Sequence, residues 1–158
     1  MREILFRGKR IDNGEWVYGY YCGPVGIDAS NEICDINDLT GSRLDVDPDT
    51  VGQYTGLTDK KGRKIFEGDV IRHAERCDYN CWEESLEHPE AYDDEEYDPD
   101  FRYSVVKWFG ENEYPAFDID PSDFECNGLS GLLADDDFVF EIIGNIHDNP
   151  DMVEVQAK

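Results

Sequence analysis

Residues 2–21, REILFRGKRIDNGEWVYGYY, carry the pattern that decides the fold class. Ile4 and Phe6 fall on one side of a two-residue alternation, with Leu5 opposite. Trp16, Tyr18 and Tyr20 share one side of a second alternating run. Asp12-Asn13-Gly14 lies between the runs, and Asn and Gly tolerate the positive φ that a tight hairpin requires. The stretch predicts a β-hairpin over residues 2–21. It is a core-building unit, so Trp16 and Tyr18 are read as packing residues rather than ligand contacts.

The same signal recurs outward from this hairpin. Residues 51–73, VGQYTGLTDKKGRKIFEGDVIRH, hold a turn at Asp59–Gly62 between Val51–Leu57 and Lys64–His73. Gly68-Asp69 interrupts the second run like a bulge or sharp bend. Further strand-like runs are RYSVVKWFG at 102–110, YPAFDI at 114–119 and FVFEIIGNIHD at 138–148. Leu129, Leu132 and Leu133 offer a short helix that Gly128 and Gly131 weaken. The expectation is a mainly β, single domain over residues 1–158, with strand groups at 2–73 and 101–147. The predicted core is Ile4, Phe6, Trp16, Tyr18, Val51, Ile65, Val70, Val106, Trp108, Phe117, Phe140 and Ile142.

Charge is the strongest compositional feature. The 158 residues carry a formal net charge of -24, yet 39% are hydrophobic, enough for a core and against wholesale disorder. Residues 1–76 hold 11 Lys/Arg against 14 Asp/Glu, whereas residues 77–158 hold 3 against 24. Residues 74–100 alone contain twelve Asp/Glu and read as an acidic insertion within the domain. So negative a chain repels phosphates, which disfavours direct nucleic-acid binding. The acidic side chains Glu83, Glu84, Glu87, Glu90, Asp93, Asp94, Glu95, Glu96, Asp98 and Asp100 point instead to a basic protein as partner. A nucleic-acid mimic is the sharper form of that reading. Two basic clusters, Arg2, Arg7, Lys9 and Arg10, and Lys60, Lys61, Arg63 and Lys64, carry the alternative of local nucleic-acid binding.

Candidate chemistry is sparse. His73, Cys77, Cys81 and His88 have a spacing that could gather a tetrahedral zinc site if residues 73–81 were helical. The familiar Cys-x2-Cys hairpin spacing is absent, so the expectation is no cofactor, with zinc as the alternative. Adjacent carboxylates such as Asp93/Asp94 follow from 38 acidic residues and do not establish a cleft, leaving a carboxylate- or metal-dependent hydrolase as a lesser alternative. The three histidines, His73, His88 and His147, fit no recognisable triad, and no phosphate-binding glycine loop occurs, so no catalytic residue is assigned. Five cysteines, Cys22, Cys34, Cys77, Cys81 and Cys126, make an odd set at irregular spacing and are expected to be reduced. No apolar run is long enough to cross a bilayer, so no membrane partner is expected and the cytoplasm is the expected compartment. Homo-oligomerisation stays open.

Taken together, ILFRGKRIDNGEWVYG at 4–19, VGQYTGLTDKKGRKIFEGDVI at 51–71, VVKWF at 105–109, YPAFDI at 114–119 and FEIIGNIHDNP at 140–150 resemble the YopX family of phage and prophage proteins. The blocks cover nearly the whole chain in order. The resemblance implies a YopX-like β fold with an SH3-like, partly open barrel and an additional strand group. It implies no catalytic residue, cofactor or substrate. With the acidic insertion, the expected role is that of a phage- or prophage-derived accessory protein, a non-catalytic interaction module that binds a basic host or phage protein in the cytoplasm of the bacterial host cell.

Overall fold

The structure is a computed structural model that describes residues 3–25, 30–38, 40–75, 101–110, 116–120, 128–134, 136 and 138–154. Its N-terminal part contains strands β1 (Phe6–Lys9), β2 (Trp16–Val25), β3 (Ser30–Asp35) and β4 (Arg43–Asp45). A 3-10 turn at Pro48–Thr50 leads to β5 (Gly52–Thr58), β6 (Lys64–Phe66) and β7 (Asp69–Glu75). The remainder holds β8 (Arg102–Trp108), β9 (Phe117–Asp120), helix α1 (Leu129–Ala134), β10 (Phe138–Asn145) and the single turn α2 (Asp151–Glu154). The described chain is therefore mainly β.

A six-stranded sheet has the order β4-β3-β2-β1-β5-β6. The predicted hairpin is its centre: Arg7 pairs with Tyr18 and Lys9 with Trp16, and Gly14 takes φ 73° in the turn. Cross-strand partners share a face of the sheet. Leu5, Arg7, Lys9, Trp16 and Tyr18 thus share one face, and Phe6, Gly8 and Val17 the other. The second face closes on Ile33 and Val46, which with Val17 form a buried cluster. Packing there is tight: a Cβ on Gly8 would lie 3.0 Å from Cβ of Val46. Beyond β4 the chain returns to the end of β1. Arg10 and Val46 form an isolated bridge, the Ile11 N–H donates to the Asp45 carbonyl at 3.1 Å, and the Asp47 N–H donates to Lys9 at 2.8 Å.

The second sheet has the order β10-β7-β8-β9. Sequence grouping places β7 with the N-terminal strands, whereas the structure puts it at the centre of this sheet, between β10 and β8. Gly68, at φ 81°, turns the chain from β6 into β7. Its N–H donates to Val106 at 2.8 Å and its carbonyl accepts from Ile146 at 2.9 Å, so the crossing point is pinned on both sides. Ile71, Val106, Ile119 and Phe138 of this sheet, Leu129 and Leu132 of α1 and Ile65 of β6 form one buried cluster. Asp118 starts α1: its Oδ1 accepts from the Leu129 N–H at 2.7 Å. That cap comes from β9, which explains a helix over a segment weakened by Gly131.

The predicted core holds at Ile65, Val70 and Val106, all buried. Phe6, Trp16, Val51, Phe117, Phe140 and Ile142 are half-buried. Ile4 is 57% exposed, Tyr18 38% and Trp108 49%, which corrects three positions. Ile4 precedes β1 and its neighbour Leu5 takes the inner place against Tyr54 and Phe66. Trp108 ends β8 and packs against Phe117 in a tilted arrangement, ring centres 4.9 Å apart, rather than entering the core. Tyr18 belongs to the hairpin face that lines a cleft.

Candidate functional site

Arg7 alternates onto the Tyr18 face and meets Asp69 at the start of β7. The Arg7 Nη1 to Asp69 Oδ1 distance is 2.5 Å, and the two side chains are 7% and 3% exposed. Nη2 of Arg7 also donates to the Glu67 carbonyl at 3.0 Å. The guanidinium carbon lies 4.9 Å from the Trp16 ring centre and 5.2 Å from that of Phe66. Asp69 Oδ2 accepts from the Phe66 N–H at 2.8 Å. Burial raises the Asp69 carboxyl above its ordinary value, and the neighbouring Arg7 only partly opposes this.

A second charged group adjoins the first. Asp148 accepts from Trp16 Nε1 at 2.7 Å and from Asn145 Nδ2 at 2.7 Å, and Lys9 Nζ lies 2.5 Å away. These bonds, that from Lys9 foremost, lower its carboxyl to about 2. His147 faces Trp16 with ring centres 6.0 Å apart. Burial lowers the His147 pKa, and the Arg7 and Lys9 charges add to the shift. Asn145 holds the turn by accepting from the His147 and Asp148 N–H groups at 3.0 Å each. Residues far apart in sequence, from the FRGK, EGD and GNIHD stretches, thereby join the two sheets.

Beside this junction lies a cleft of about 350 Å³ lined mostly by apolar surface. Leu5, Tyr18, Ile36, Phe66 and Ile142 form its apolar walls, with Arg7, Asp69, Arg63 and Lys64 among the polar groups. Arg63 Nε contacts the buried Asp59 at 2.6 Å, and Lys64 Nζ contacts Glu3 at 2.8 Å. Such a cleft fits an apolar or aromatic side chain better than a free phosphate, because both rim cations already have carboxylate partners.

This pairing extends over the described surface. Arg10 meets Asp12, Arg43 meets Glu32, Lys60 meets Asp136, Lys61 and Arg72 meet Glu141, and Lys107 meets Asp120. The two sequence-level basic clusters thus face the protein's own carboxylates wherever they are described; Arg2 lies outside the described residues.

Of the predicted metal set, His73 sits in β7 with its ring buried, its Nε2 3.0 Å from Ser104 Oγ on β8. Cys77, Cys81 and His88 lie outside the described residues, as do the acidic side chains from Glu83 to Asp100. The His73–Ser104 contact was not legible in the sequence, since it depends on the β7–β8 register. It unites a hydroxyl and an imidazole, but both side chains are buried. Sequence reasoning also missed Arg7, Asp69, Asn145 and Asp148 as one group. Their only linear signal was placement inside the blocks of family resemblance.

A profile of the family described as "YopX protein" matches residues 5–154. No curated protein matches the chain. Among solved structures, the crystal structure of protein EF1440 from Enterococcus faecalis is similar, with a TM-score of 0.50 and 20% sequence identity. The likeness covers 97% of this chain and 99% of that one, and at this identity it speaks for the fold alone. The family match spans both sheets and the whole Arg7–Asp69 and Asp148 junction, and the chain belongs to the YopX family of phage and prophage proteins.

Proposed function

We propose that the chain is a non-catalytic interaction module of a phage or prophage system, binding a basic host or phage protein. The observation that carries this reading is the charge pairing. Ten lysines and arginines, from Arg7 to Lys107, contact the protein's own carboxylates, while 38 acidic residues stand against 14 basic ones in the whole chain. The charge left without internal partners is therefore negative, and a positively charged surface is its complement. Residues 83–100 are the densest part of that excess, and the apolar cleft beside Arg7 supplies an anchor for a protruding side chain. The buried placement of His73 and Ser104 supports a binding role over hydrolysis.

The scaffold in this proposal is one domain over residues 1–158 with the acidic insertion at 74–100. An SH3-like, partly open barrel is supported by the Arg10–Val46 bridge, through which the chain after β4 returns to β1. No helix of the described residues is long and apolar enough to cross a membrane. The proposal places the module in the cytoplasm of the bacterial host.

The test is affinity capture from host lysate at low and moderate salt with three baits: the intact protein, a form with residues 83–100 replaced by a neutral linker, and Ile36→Asp. A basic protein captured at moderate salt and lost with the linker bait supports the proposal. Competition by nucleic acid would select its mimic form. A partner kept by the linker bait but lost with Ile36→Asp would place recognition in the cleft. Absence of any selectively captured basic protein would overturn the reading.

A further inference from the structure

Cys22 and Cys34 face each other across β2 and β3, their Sγ atoms 2.7 Å apart, and both remain free thiols. This approach follows from a register irregularity. Tyr20 pairs with Cys34 and Tyr21 with Ile33, but the next pair is Gly23 with Glu32. Cys22 is the extra residue, left without a ladder partner, and a β-bulge re-aims such a side chain. Gly23 completes the bulge at φ 74°. The opposite strand is held close, because a Cβ on Gly19 would lie 1.8 Å from the Cys34 carbonyl oxygen. Both cysteines are only half-buried, so a small oxidant can reach them.

We propose that Cys22 and Cys34 form a reversible disulfide that clamps β2 to β3. The oxidant is a low-molecular-weight disulfide. Cys22 gives its proton to solvent and, as thiolate, attacks one of its sulfurs and expels one thiolate, leaving a mixed disulfide on Cys22. Cys34 then releases its proton to solvent, attacks the Cys22 sulfur and expels the second thiolate, and the two small thiolates take up the two protons. Two electrons pass from the protein to the small disulfide, and one S–S bond replaces another. The order suits the pair: the hydrogen bond with Cys22, then burial, raise the Cys34 pKa and keep it protonated until the second step. The bond would need only a short approach, since S–S bonds are about 2.05 Å long. Tyr18 lies on β2 and Ile36 directly follows β3, so the clamp joins the two strands beside these cleft residues.

The experiment equilibrates reduced full-length protein with mixtures of oxidised and reduced glutathione, alkylates the remaining thiols and maps unreduced peptides by mass spectrometry. The expected product is a Cys22–Cys34 linked peptide pair, lighter by two hydrogens than the dithiol, as the principal crosslink. Closing this short loop should raise Tm by about 5–10 °C, reversibly on adding dithiothreitol. Cys34→Ser should stop at a glutathione adduct on Cys22 and lose the rise in Tm. Should that variant not fold, Cys22→Ser should likewise form no link to residue 34. Alkylation of both cysteines at the oxidising end, or dominant linkage of Cys22 to a different cysteine, would overturn the proposal. A Cys22–Cys34 link with unchanged Tm would overturn its action as a clamp.

Discussion

Arg7 on β1 and Asp69 on β7 form a buried ion pair that bridges the two sheets, with 2.5 Å between Nη1 and Oδ1. Breaking such a pair on one side leaves an uncompensated charge in a site with little water. Arg7→Met and Asp69→Leu should each lower unfolding free energy by about 3–5 kcal/mol. The double variant should lose less than the sum, because neither charge is stranded. Urea unfolding of the four proteins measures this. Additive losses would show that the pair does not act as a unit.

Asp148 should make a distinct contribution to acid stability. Its folded value is lowered from 3.8 to about 2, so its stabilisation is present above 3.8 and is lost as pH falls toward about 2. Asp69 has the opposite sign and a different window: its value is raised, so its titration disfavours the folded state as pH rises above 3.8. Asp148→Asn should therefore flatten the acid limb of the Tm profile between these values. An acid limb as steep as that of the unmodified protein would remove Asp148 from the account.

Gly68→Ala should cost about 1–2 kcal/mol through backbone conformation, since φ 81° is unfavourable for an L-residue. Space is not the obstacle: the added Cβ would lie 3.5 Å from Ile146 Cγ1, an ordinary contact. Gly68→Asn should recover part of the loss, because Asn tolerates this region better. Equal losses for Ala and Asn by chemical denaturation would point to crowding instead.

Added salt should stabilise the protein. Surface ion pairs such as Lys60–Asp136 contribute little individually, so screening them removes little. A net charge of -24 opposes compaction, and screening weakens that repulsion. Tm should rise between about 10 mM and 300 mM sodium chloride, where the Debye length contracts several-fold. A fall in Tm would mean that the ion pairs outweigh the repulsion.

Alternation and turn chemistry in the sequence by themselves determined the 2–21 hairpin, the β character and the bend at Gly68-Asp69. These are local properties: neighbouring side chains set which residues oppose each other, and Asn or Gly supplies the turn conformation. Only the tertiary structure decided which side of a strand is covered. Leu5 is buried and Ile4 exposed because Tyr54 and Phe66 arrive from β5 and β6, which no spacing within β1 reveals. The same holds for α1, whose first N–H finds its acceptor on Asp118, and for β7, which leaves its sequence neighbours to pair with β8 and β10. The Arg7–Asp69 and Cys22–Cys34 approaches arise likewise from register between distant or bulged strands. Register follows from burial over whole sheets, and burial is a property of the assembled chain.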